Sequence, residues 1–386
     1  MLIPKNAGFV LAGFFLDITT ETMSNTNHNK FMRLAVELAK RGQGKVAPNP
    51  MVGCVIVENN KIVSTGYHHC FGGAHAEIDA LNKIKNIKSL RGCVMYVTLE
   101  PCSHYGKTPP CTDRIIKSGI KTVITAIKDP NPIVSGKGIR KLKQNNIRVV
   151  AGILPDECRE LNKVFIKNVT AGLPYAVIKS AVSIDGKICA NSGDSKWISS
   201  TKSREYVHEL RAQSDAVLVG INTVINDNPE LTAHGKGKNP VRIIIDPEMK
   251  ISIRAKVIKN NDGITVLVVS ESCSAEKQFP GNVRIMRVRK NRHGELDFRL
   301  LMKQLYDKYN IYSVLIEGGG ETNAAAIRAG VVDEINLFVS PKLIGGREAK
   351  TFVEGPGIFN VSSALPVKFA GSELIGTDLL LKYRFE

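Results

Sequence analysis

Three short segments, far apart in the sequence, carry the side chains of one potential metal site, and this limits how the chain can fold. His75 and Glu77 form a His-Ala-Glu motif, Cys102 follows a proline, and Cys111 comes after eight intervening residues. One histidine and two cysteines give three zinc ligands and leave a fourth position for water, as in catalytic zinc sites. Zinc lowers the pKa of such a water to about 7. The fold must therefore bring these segments to one point.

The neighbours of these ligands indicate hydrolytic deamination. Glu77 is predicted to lie close to the metal without binding it, where it could move a proton from water to a leaving amine. The predicted helix start at Cys111 favours the thiolate form of that residue. A His-x-Glu pair alone is common, and two cysteines could simply be buried thiols. Their joint order with a Pro-Cys pair, however, matches the zinc deaminases.

The spacing of the two cysteines bears on the substrate. Deaminases of nucleosides and nucleic acids have a Cys-x-x-Cys spacing, whereas here eight residues intervene and include His104 and Lys107. Such side chains could bind a phosphate or a sugar hydroxyl. The insertion would also narrow the site against a nucleic-acid strand. The sequence therefore favours a small phosphorylated substrate.

Apolar runs alternate with helical patterns along the first half, which predicts an α/β sandwich with helices on a mostly parallel sheet. The predicted strands are 52–57, 61–66, 93–99, 120–127 and 147–150. The predicted helices are 28–41, 74–86, a short one from Cys111, 137–145 and a connecting helix 155–168.

A second α/β domain follows Thr170-Ala-Gly-Leu-Pro174, whose glycine and proline are typical of a boundary. We assign residues 1–27 to an N-terminal extension outside the fold, 28–168 to the first domain and 169–386 to the second. The predicted strands of the second domain are 175–190, 216–220, 241–246, 264–269, 283–288, 313–317, 334–340 and 378–385. Its predicted helices are 201–212, 298–309 and 322–329.

Composition narrows the class of partner. The 386 residues, enough for two cores, include 53 Lys and Arg against 36 Asp and Glu, a formal charge of +17. This balance attracts nucleic acid, anionic membranes or phosphorylated small molecules. The densest basic cluster, at 284–292, is interpreted as a solvated surface, with a nucleic-acid patch as the alternative. Eight cysteines in a chain this long need no disulfide framework, which favours a reducing cytoplasm.

The N-terminal apolar run 7–16 is too short to span a bilayer. No small-residue cleavage site follows it, and Met23 stands just ahead of the first predicted helix. We interpret the run as part of a dispensable extension. A targeting segment is the alternative.

Six motifs in the first half resemble those of the bifunctional riboflavin-biosynthesis deaminase/reductase family. They are Pro48-Asn-Pro50, Gly53-Cys-Val55, His75-Ala-Glu77, Thr98-Leu-Glu-Pro-Cys-Ser-His104, Lys107-Thr-Pro-Pro-Cys111 and Asp129-Pro-Asn-Pro132. In the second half the resemblance continues through Ser183-Ile-Asp-Gly186, Trp197-Ile198, Arg211-Ala212, Asp227-x-Pro229 and Glu317-Gly-Gly-Gly320. It covers roughly residues 28–386.

The resemblance implies a cytidine-deaminase-like first domain and a dihydrofolate-reductase-like second domain. The first would use zinc to deaminate 2,5-diamino-6-(5-phosphoribosylamino)pyrimidin-4-one. The second would use NADPH to reduce the ribosyl group, giving 5-amino-6-(5-phosphoribitylamino)uracil. A small phosphorylated pyrimidine is then the partner, with no nucleic acid or membrane, and a homo-oligomer, dimer or tetramer, is expected.

The resemblance also assigns residues. Asn49 would contact the deaminase substrate. The cofactor site would be lined by Ala181, Trp197, Thr223, Asp227 and the run Gly319, Gly320, Glu321, Thr322, Asn323, Ala324 and Ala325. The reductase substrate would be faced by Ser195, Arg211, Leu231, His234 and Glu317. Lys179 and Glu317 are the candidates for moving protons.

The residue patterns of the second half leave alternatives open. The glycines after strand 313–317 could expose N–H groups to a phosphate, but a bare turn explains them as well. Arg211 alone could be a surface residue, and Trp197 a core or rim aromatic. His234 stands where the family often has arginine and would be mostly uncharged near neutral pH. Pro247, where a serine can contact the cofactor, lacks a hydroxyl and a backbone donor. Two alternative hypotheses remain: the second half could be non-catalytic, or the chain could be a nucleic-acid deaminase.

Overall fold

The computed structural model describes residues 27–85, 90–105, 109–132 and 134–385. The chain forms two compact units that divide between Thr170 and Ala171. Each unit contains one sheet with helices, so the predicted two-domain α/β class is confirmed. The apolar run 7–16 and the rest of the extension, apart from residue 27, lie outside the described ranges. Within those ranges, no helix is both long enough and apolar enough to cross a bilayer.

The first unit has five strands in the order β2-β1-β3-β4-β5. The strands are β1 Gly53–Glu58, β2 Lys61–Tyr67, β3 Val94–Leu99, β4 Thr122–Ile127 and β5 Arg148–Ala151. The helices are α1 at 27–40, α2 Ala76–Asn82, α3 Cys111–Ser118, α4 Lys137–Gln144, α5 Pro155–Leu161 and α6 Lys163–Ala171.

The prediction of a mostly parallel sheet in this unit is wrong. Strand β1 pairs antiparallel with both β2 and β3, and only β3–β4 and β4–β5 are parallel. A two-residue turn between β1 and β2 accounts for the first of these antiparallel pairs. Asn59 and Asn60 have φ of 48° and 60°, the positive values that tight hairpin turns require and that asparagine tolerates.

Alternate residues of β1 belong to two separate cores. Cys54 and Ile56 pack with α2, α3 and α4, whereas Val55 and Val57 pack with α1 and α5. A strand alternates its side chains in this way when both faces of its sheet are covered. Gly53 is required by close approach, because a Cβ there would lie 1.9 Å from the Ala35 carbonyl oxygen of α1.

The predicted connecting helix 155–168 is two helices. Asn162 lies between α5 and α6 in a non-helical conformation, with φ −109°. Its side chain bonds to the backbone of Met51, which is 111 positions away. This long-range contact fixes the break between the helices.

The second unit has nine strands in the order β10-β9-β8-β7-β11-β6-β12-β14-β13. They are β6 Tyr175–Ser183, β7 Ala216–Gly220, β8 Val241–Ile245, β9 Thr265–Ser270, β10 Val283–Val288, β11 Ser313–Ile316, β12 Glu334–Ser340, β13 Lys368–Ile375 and β14 Asp378–Arg384. The helices are α7 Thr201–Gln213, α8 Ile221–Asp227, α9 Lys256–Lys259, α10 Phe298–Tyr309 and α11 Gly320–Arg328, with a 3₁₀ turn at Val361–Ser363.

Three features of this unit differ from the prediction. The strand predicted over 175–190 ends at Ser183, because Gly186, with φ 78°, turns the chain and donates to the Ser183 carbonyl at 2.9 Å. Helices α8 and α9 were not predicted. Strand β13 was also not predicted, and it pairs with β14 as an antiparallel hairpin at the edge of the sheet.

Candidate active sites

The three predicted metal ligands meet in the first unit. His75 directly precedes α2, Cys102 follows β3, and Cys111 is the first residue of α3. Their donor atoms all lie within 4.8 Å of one another. His75 Nδ1 is 3.2 Å from Cys111 Sγ and 3.6 Å from Cys102 Sγ. A set of one imidazole and two thiols fits a tetrahedral zinc ion with one open position.

The two thiols of the cluster share a hydrogen bond. A hydrogen bond from Cys111 lowers the pKa of the Cys102 thiol to about 4, and His75 acts in the same direction. The same bond, with burial, raises the pKa of Cys111 well above its usual range. The backbone N–H that opens α3 points at Cys102 Sγ, at 3.3 Å. The helix start thus directs its N–H at Cys102, and the thiolate form expected for Cys111 stays a prediction.

Glu77 lies in the first turn of α2, beside the cluster, and only 3% of it is exposed. Burial raises the pKa of its carboxyl to about 7. A carboxyl with such a pKa can accept and release a proton near neutral pH. Glu77 lines a cavity of about 310 Å³, a volume suited to a small molecule.

The same cavity is lined by two of the predicted substrate contacts, Asn49 and His104. Asn49 Nδ2 is 3.1 Å from Nε2 of His68, whose Nδ1 is 2.9 Å from the Ala74 carbonyl oxygen. The Asn49 amide is therefore held by a short chain of hydrogen bonds. Lys107 lies outside the described residues.

A second cavity, of about 990 Å³, lies in the second unit. It lies beyond the carboxyl ends of the parallel strands β7 and β11, the usual location of ligands in such sheets. The predicted residues that line it are Lys179, Ala181, Ser195, Trp197, Arg211, Thr223, Asp227, Leu231, His234, Glu317, Gly319, Gly320, Glu321 and Thr322.

Glu317 is the electrostatic centre of this cavity. Its carboxylate accepts two hydrogen bonds from Arg211, from Nε at 2.6 Å and from Nη2 at 3.0 Å. Lys179 Nζ is 3.9 Å away. Burial would raise the pKa of Glu317, but Arg211 and Lys179 outweigh it and lower that pKa. Burial, with Arg211 acting in the same direction, lowers the pKa of Lys179.

Arg211 is a cavity residue and not the surface residue that its sequence context also allowed. A third hydrogen bond, from its Nη1, ends on the Thr232 carbonyl oxygen at 3.1 Å. Three of its five N–H groups are therefore in use, and two are left for an anion.

Two further predicted residues are held by neighbours at the cavity. Ser195 Oγ donates to Asp227 Oδ1 at 3.2 Å. Trp197 is 62% exposed, and the guanidinium of Arg204 lies 4.5 Å from its ring centroid. This cation–π contact orients an otherwise exposed indole. Trp197 is therefore at the rim of the cavity and not in the core.

The residues 319–325, which were predicted to bind the cofactor, fall into two groups at the start of α11. Gly319 to Thr322 line the cavity, whereas Asn323, Ala324 and Ala325 do not. Asn323 and Ala324 are buried, and Asn323 Nδ2 donates to the Phe352 carbonyl at 2.8 Å. Only the first three residues of α11 therefore line the cavity, and the later residues of the predicted run do not.

Several cavity residues were not singled out from the sequence. Asp129 and Asn131 line the smaller cavity and His208 the larger one, where its ring centroid is 4.1 Å from that of His234. Burial, with His234 and Arg211, lowers the pKa of His208 to about 4. Buried Glu100 accepts backbone N–H bonds from three residues, Asp129, Gly136 and Ile139. The Asp-Pro-Asn-Pro motif was the one available signal for the first two.

Comparison with known proteins agrees with this geometry. The sequence model of the cytidine and deoxycytidylate deaminase zinc-binding region matches residues 25–127, and that of the RibD C-terminal domain matches residues 174–381. The riboflavin biosynthesis protein RibD of Actinobacillus pleuropneumoniae is 41% identical over 357 residues, covering 92% of this chain and 94% of that protein.

Solved structures give the same result. The Thermotoga maritima diaminohydroxyphosphoribosylaminopyrimidine deaminase/5-amino-6-(5-phosphoribosylamino)uracil reductase is 38% identical, with a TM-score of 0.82, and the match covers 94% of this chain and all of that one. Acinetobacter baumannii RibD is 33% identical, with a TM-score of 0.81 and coverage of 93% and 99%.

The fold and the two sites define a zinc-dependent deaminase joined to a reductase in one chain. The sequence identities to these relatives extend over nine-tenths of the chain, and they therefore identify its family. The chain belongs to the RibD family of bifunctional deaminase/reductases of riboflavin biosynthesis. The predicted function class and the predicted zinc and NADPH dependence are thereby confirmed.

Proposed function

We propose that this chain catalyses two successive reactions on one small substrate. The first unit hydrolyses 2,5-diamino-6-(5-phosphoribosylamino)pyrimidin-4-one to 5-amino-6-(5-phosphoribosylamino)uracil and ammonia. The second unit consumes NADPH and a proton to reduce the ribosyl group, giving 5-amino-6-(5-phosphoribitylamino)uracil and NADP⁺. The substrate names are those of the Thermotoga maritima relative, and the small nucleotide-like class agrees with the deaminase family.

The observation that carries the first reaction is a buried carboxyl beside three zinc-type ligands in a small cavity. We assign His75, Cys102 and Cys111 to zinc, which when bound supplies a Lewis acid that activates water. Glu77 takes a proton from the attacking water and delivers it to the departing amino group. Asn49 and His104 bind the substrate from the cavity wall, and Lys107 is assigned to its phosphate.

In the second unit, Glu317 holds Arg211 by two hydrogen bonds and lies within ion-pair distance of Lys179. Arg211 retains two N–H groups that we assign to the substrate, together with His234, Ser195 and Leu231, which line the same cavity. Lys179 donates a proton to the sugar ring oxygen as its bond to C1′ breaks. NADPH, when bound, supplies the hydride that C1′ receives.

The cofactor is assigned to the part of the cavity formed by α8 and the start of α11. Thr223 and Asp227 belong to α8, and Gly319 to Thr322 open α11. Ala181 and Trp197 line the same cavity. N–H groups at a helix start are suited to a phosphate. Asn323, Ala324 and Ala325 do not line the cavity, and their assignment to the cofactor rests on the family resemblance alone.

One coupled assay tests both halves. Purified zinc-loaded protein is given the diamino substrate, and ammonia release and NADPH oxidation are followed together. We expect one equivalent of each per substrate. Ammonia without NADPH oxidation would show that the second unit is not a reductase, and NADPH oxidation only with separately prepared uracil substrate would exclude the first reaction.

We further propose a cytoplasmic, homo-oligomeric protein. A site built on two unmodified thiols requires a reducing compartment. The second unit exposes large apolar side chains on its edge strand β13 and in the segment between β12 and β13: Leu343, Phe359, Val361, Leu365, Phe369 and Leu374. An exposed strand edge with apolar neighbours is suited to pairing with a second copy. Light scattering should give a dimer or tetramer, and Phe359→Ser with Leu374→Ser should give a monomer; a monomeric wild type would contradict the proposal.

A further inference from the structure

Of the two helices that follow the last strand of the first unit, α6 contributes a residue to the smaller cavity. Phe165 of α6 is part of the cavity wall, together with Asn49, Val52 and Glu77. The match to the general cytidine deaminase zinc-binding region ends at residue 127, before these helices begin. Phe165 therefore lies outside the part of the chain that matches the general cytidine deaminase region.

The contact between these helices and the loop before β1 is a pair of hydrogen bonds. The Met51 N–H donates to Asn162 Oδ1 at 2.8 Å, and Asn162 Nδ2 donates to the Met51 carbonyl at 3.0 Å. Asn162 is 2% exposed, so water does not compete for these bonds. A carboxamide is needed, because it presents one donor and one acceptor side by side.

Both ends of this contact are fixed. Asn162 N–H donates to the carbonyls of Cys158 and Arg159, and its own carbonyl accepts from Ile166 N–H at 2.9 Å. The side chain therefore projects from a break whose two flanking helices hold it in place. On the other side, Asn49 and Pro50 precede Met51 and Val52 follows it, and all three line the cavity. Fixing the peptide groups of Met51 thus fixes the backbone of Pro50 and Val52 and, through Pro50, the position of Asn49.

We infer that α6 forms part of the deaminase site, with Asn162, at the break between α5 and α6, as the positioning residue for the loop that carries Asn49. The inference deepens the proposed deamination and rests on it. Asn162 touches no reacting atom and acts through Met51. Its loss should therefore weaken substrate binding more than the metal site, whose ligands lie on other elements.

The test uses the zinc-loaded full chain and two variants. Asn162→Leu removes both hydrogen bonds, and Asn162→Asp keeps the acceptor for Met51 N–H but places an oxygen against the Met51 carbonyl. We expect the KM for deamination to rise about tenfold or more, the effect of losing buried hydrogen bonds, with kcat changed much less. Zinc content should stay at one per chain, and reduction of separately prepared uracil substrate should be unchanged.

Asn168→Leu is the matched control, because Asn168 is a buried asparagine of the adjoining helix α6 and does not line the cavity. It should leave the KM unchanged. If Asn162→Leu does not fold, the KM of the near-isosteric Asn162→Asp variant provides the test. Phe165→Leu, an apolar replacement in the cavity wall, provides an independent variant that should also raise the KM.

Two outcomes separate this inference from the proposed function. If the wild type releases no ammonia, the proposed deamination fails. If the wild type deaminates and both Asn162 variants keep its KM, or lose zinc and kcat in parallel at constant KM, then Asn162 has only a structural role and the inference is overturned.

Discussion

Replacing Glu317 with glutamine should leave the positive charges of Arg211 and Lys179 without a counter-ion, because the side chain keeps its shape but loses its charge. Only 9% of the Glu317 side chain is exposed, against 13% for Arg211 and 16% for Lys179. Two partly buried cations would then share the site without a counter-ion. Removing one partner of a buried ion pair costs about 3–5 kcal/mol. For a domain of this size the unfolding midpoint should fall by about 10 °C.

The sign of the pH dependence follows from the lowered pKa of Glu317. A carboxyl whose pKa is lowered on folding stabilises the protein above its ordinary value of 4.5, and this contribution is lost as the pH falls through the lower, folded-state pKa. The wild-type second unit should therefore lose stability in acid over that window. Glu317→Gln should lack this step and start from a lower stability at neutral pH.

The assays are denaturant unfolding of the full chain between pH 3 and pH 8, about the range in which carboxyls titrate, and steady-state reduction of separately prepared uracil substrate. We expect kcat/KM for reduction to fall by about 100-fold or more, because the variant disturbs both Arg211 and Lys179. Deamination should be unchanged. Asp307→Asn is the control, since it breaks an exposed pair with Lys303 and should cost at most about 1 kcal/mol. Equal stability losses in the two variants would refute the reasoning.

Three further predictions concern the two sites separately. Glu77→Gln should keep zinc, measured by metal analysis, yet lose deamination by about 100-fold or more, and near-normal turnover would contradict its role as proton shuttle. His234→Arg should lower the KM of the reductase about fivefold, because it adds a permanent charge beside a neutral His208; an unchanged or higher KM would show that residue 234 does not meet the substrate. Removing zinc with a chelator should abolish ammonia release while NADPH oxidation with prepared uracil substrate continues, and loss of both would indicate that the metal also supports the second unit.

The chemistry of the metal cluster was predictable because it depends on residue type and local position. His75 and Cys111 each stand at the start of a helix, and both the ligand chemistry and the helix signals are local. The direction of the N–H group at this helix start was not predictable. The helix-start N–H of Cys111 points at Cys102, a direction that depends on how the loop after β3 folds back.

The antiparallel pairing of β1 with β2 has a local signal in the sequence. Two consecutive asparagines between apolar strands favour a hairpin, because asparagine tolerates the positive φ that the turn requires. The break between α5 and α6 had no comparable signal. Asn162 is unremarkable within a helical pattern, and the partner that makes it non-helical lies 111 positions earlier.

The two sites show the same division between residues that react and residues that position them. The predicted proton shuttle Glu77 and the predicted ligands are recognisable from their own chemistry, whereas Asn162 acts only through Met51. Glu317 acts in the same way in the second unit, since its bond to Arg211 spans 106 positions. A positioning contact of this kind costs nothing in local propensity and leaves no periodic pattern. It becomes visible only when the fold has brought its two ends together, which is why variants at Asn162 and Glu317 test the structure more severely than variants at the zinc ligands.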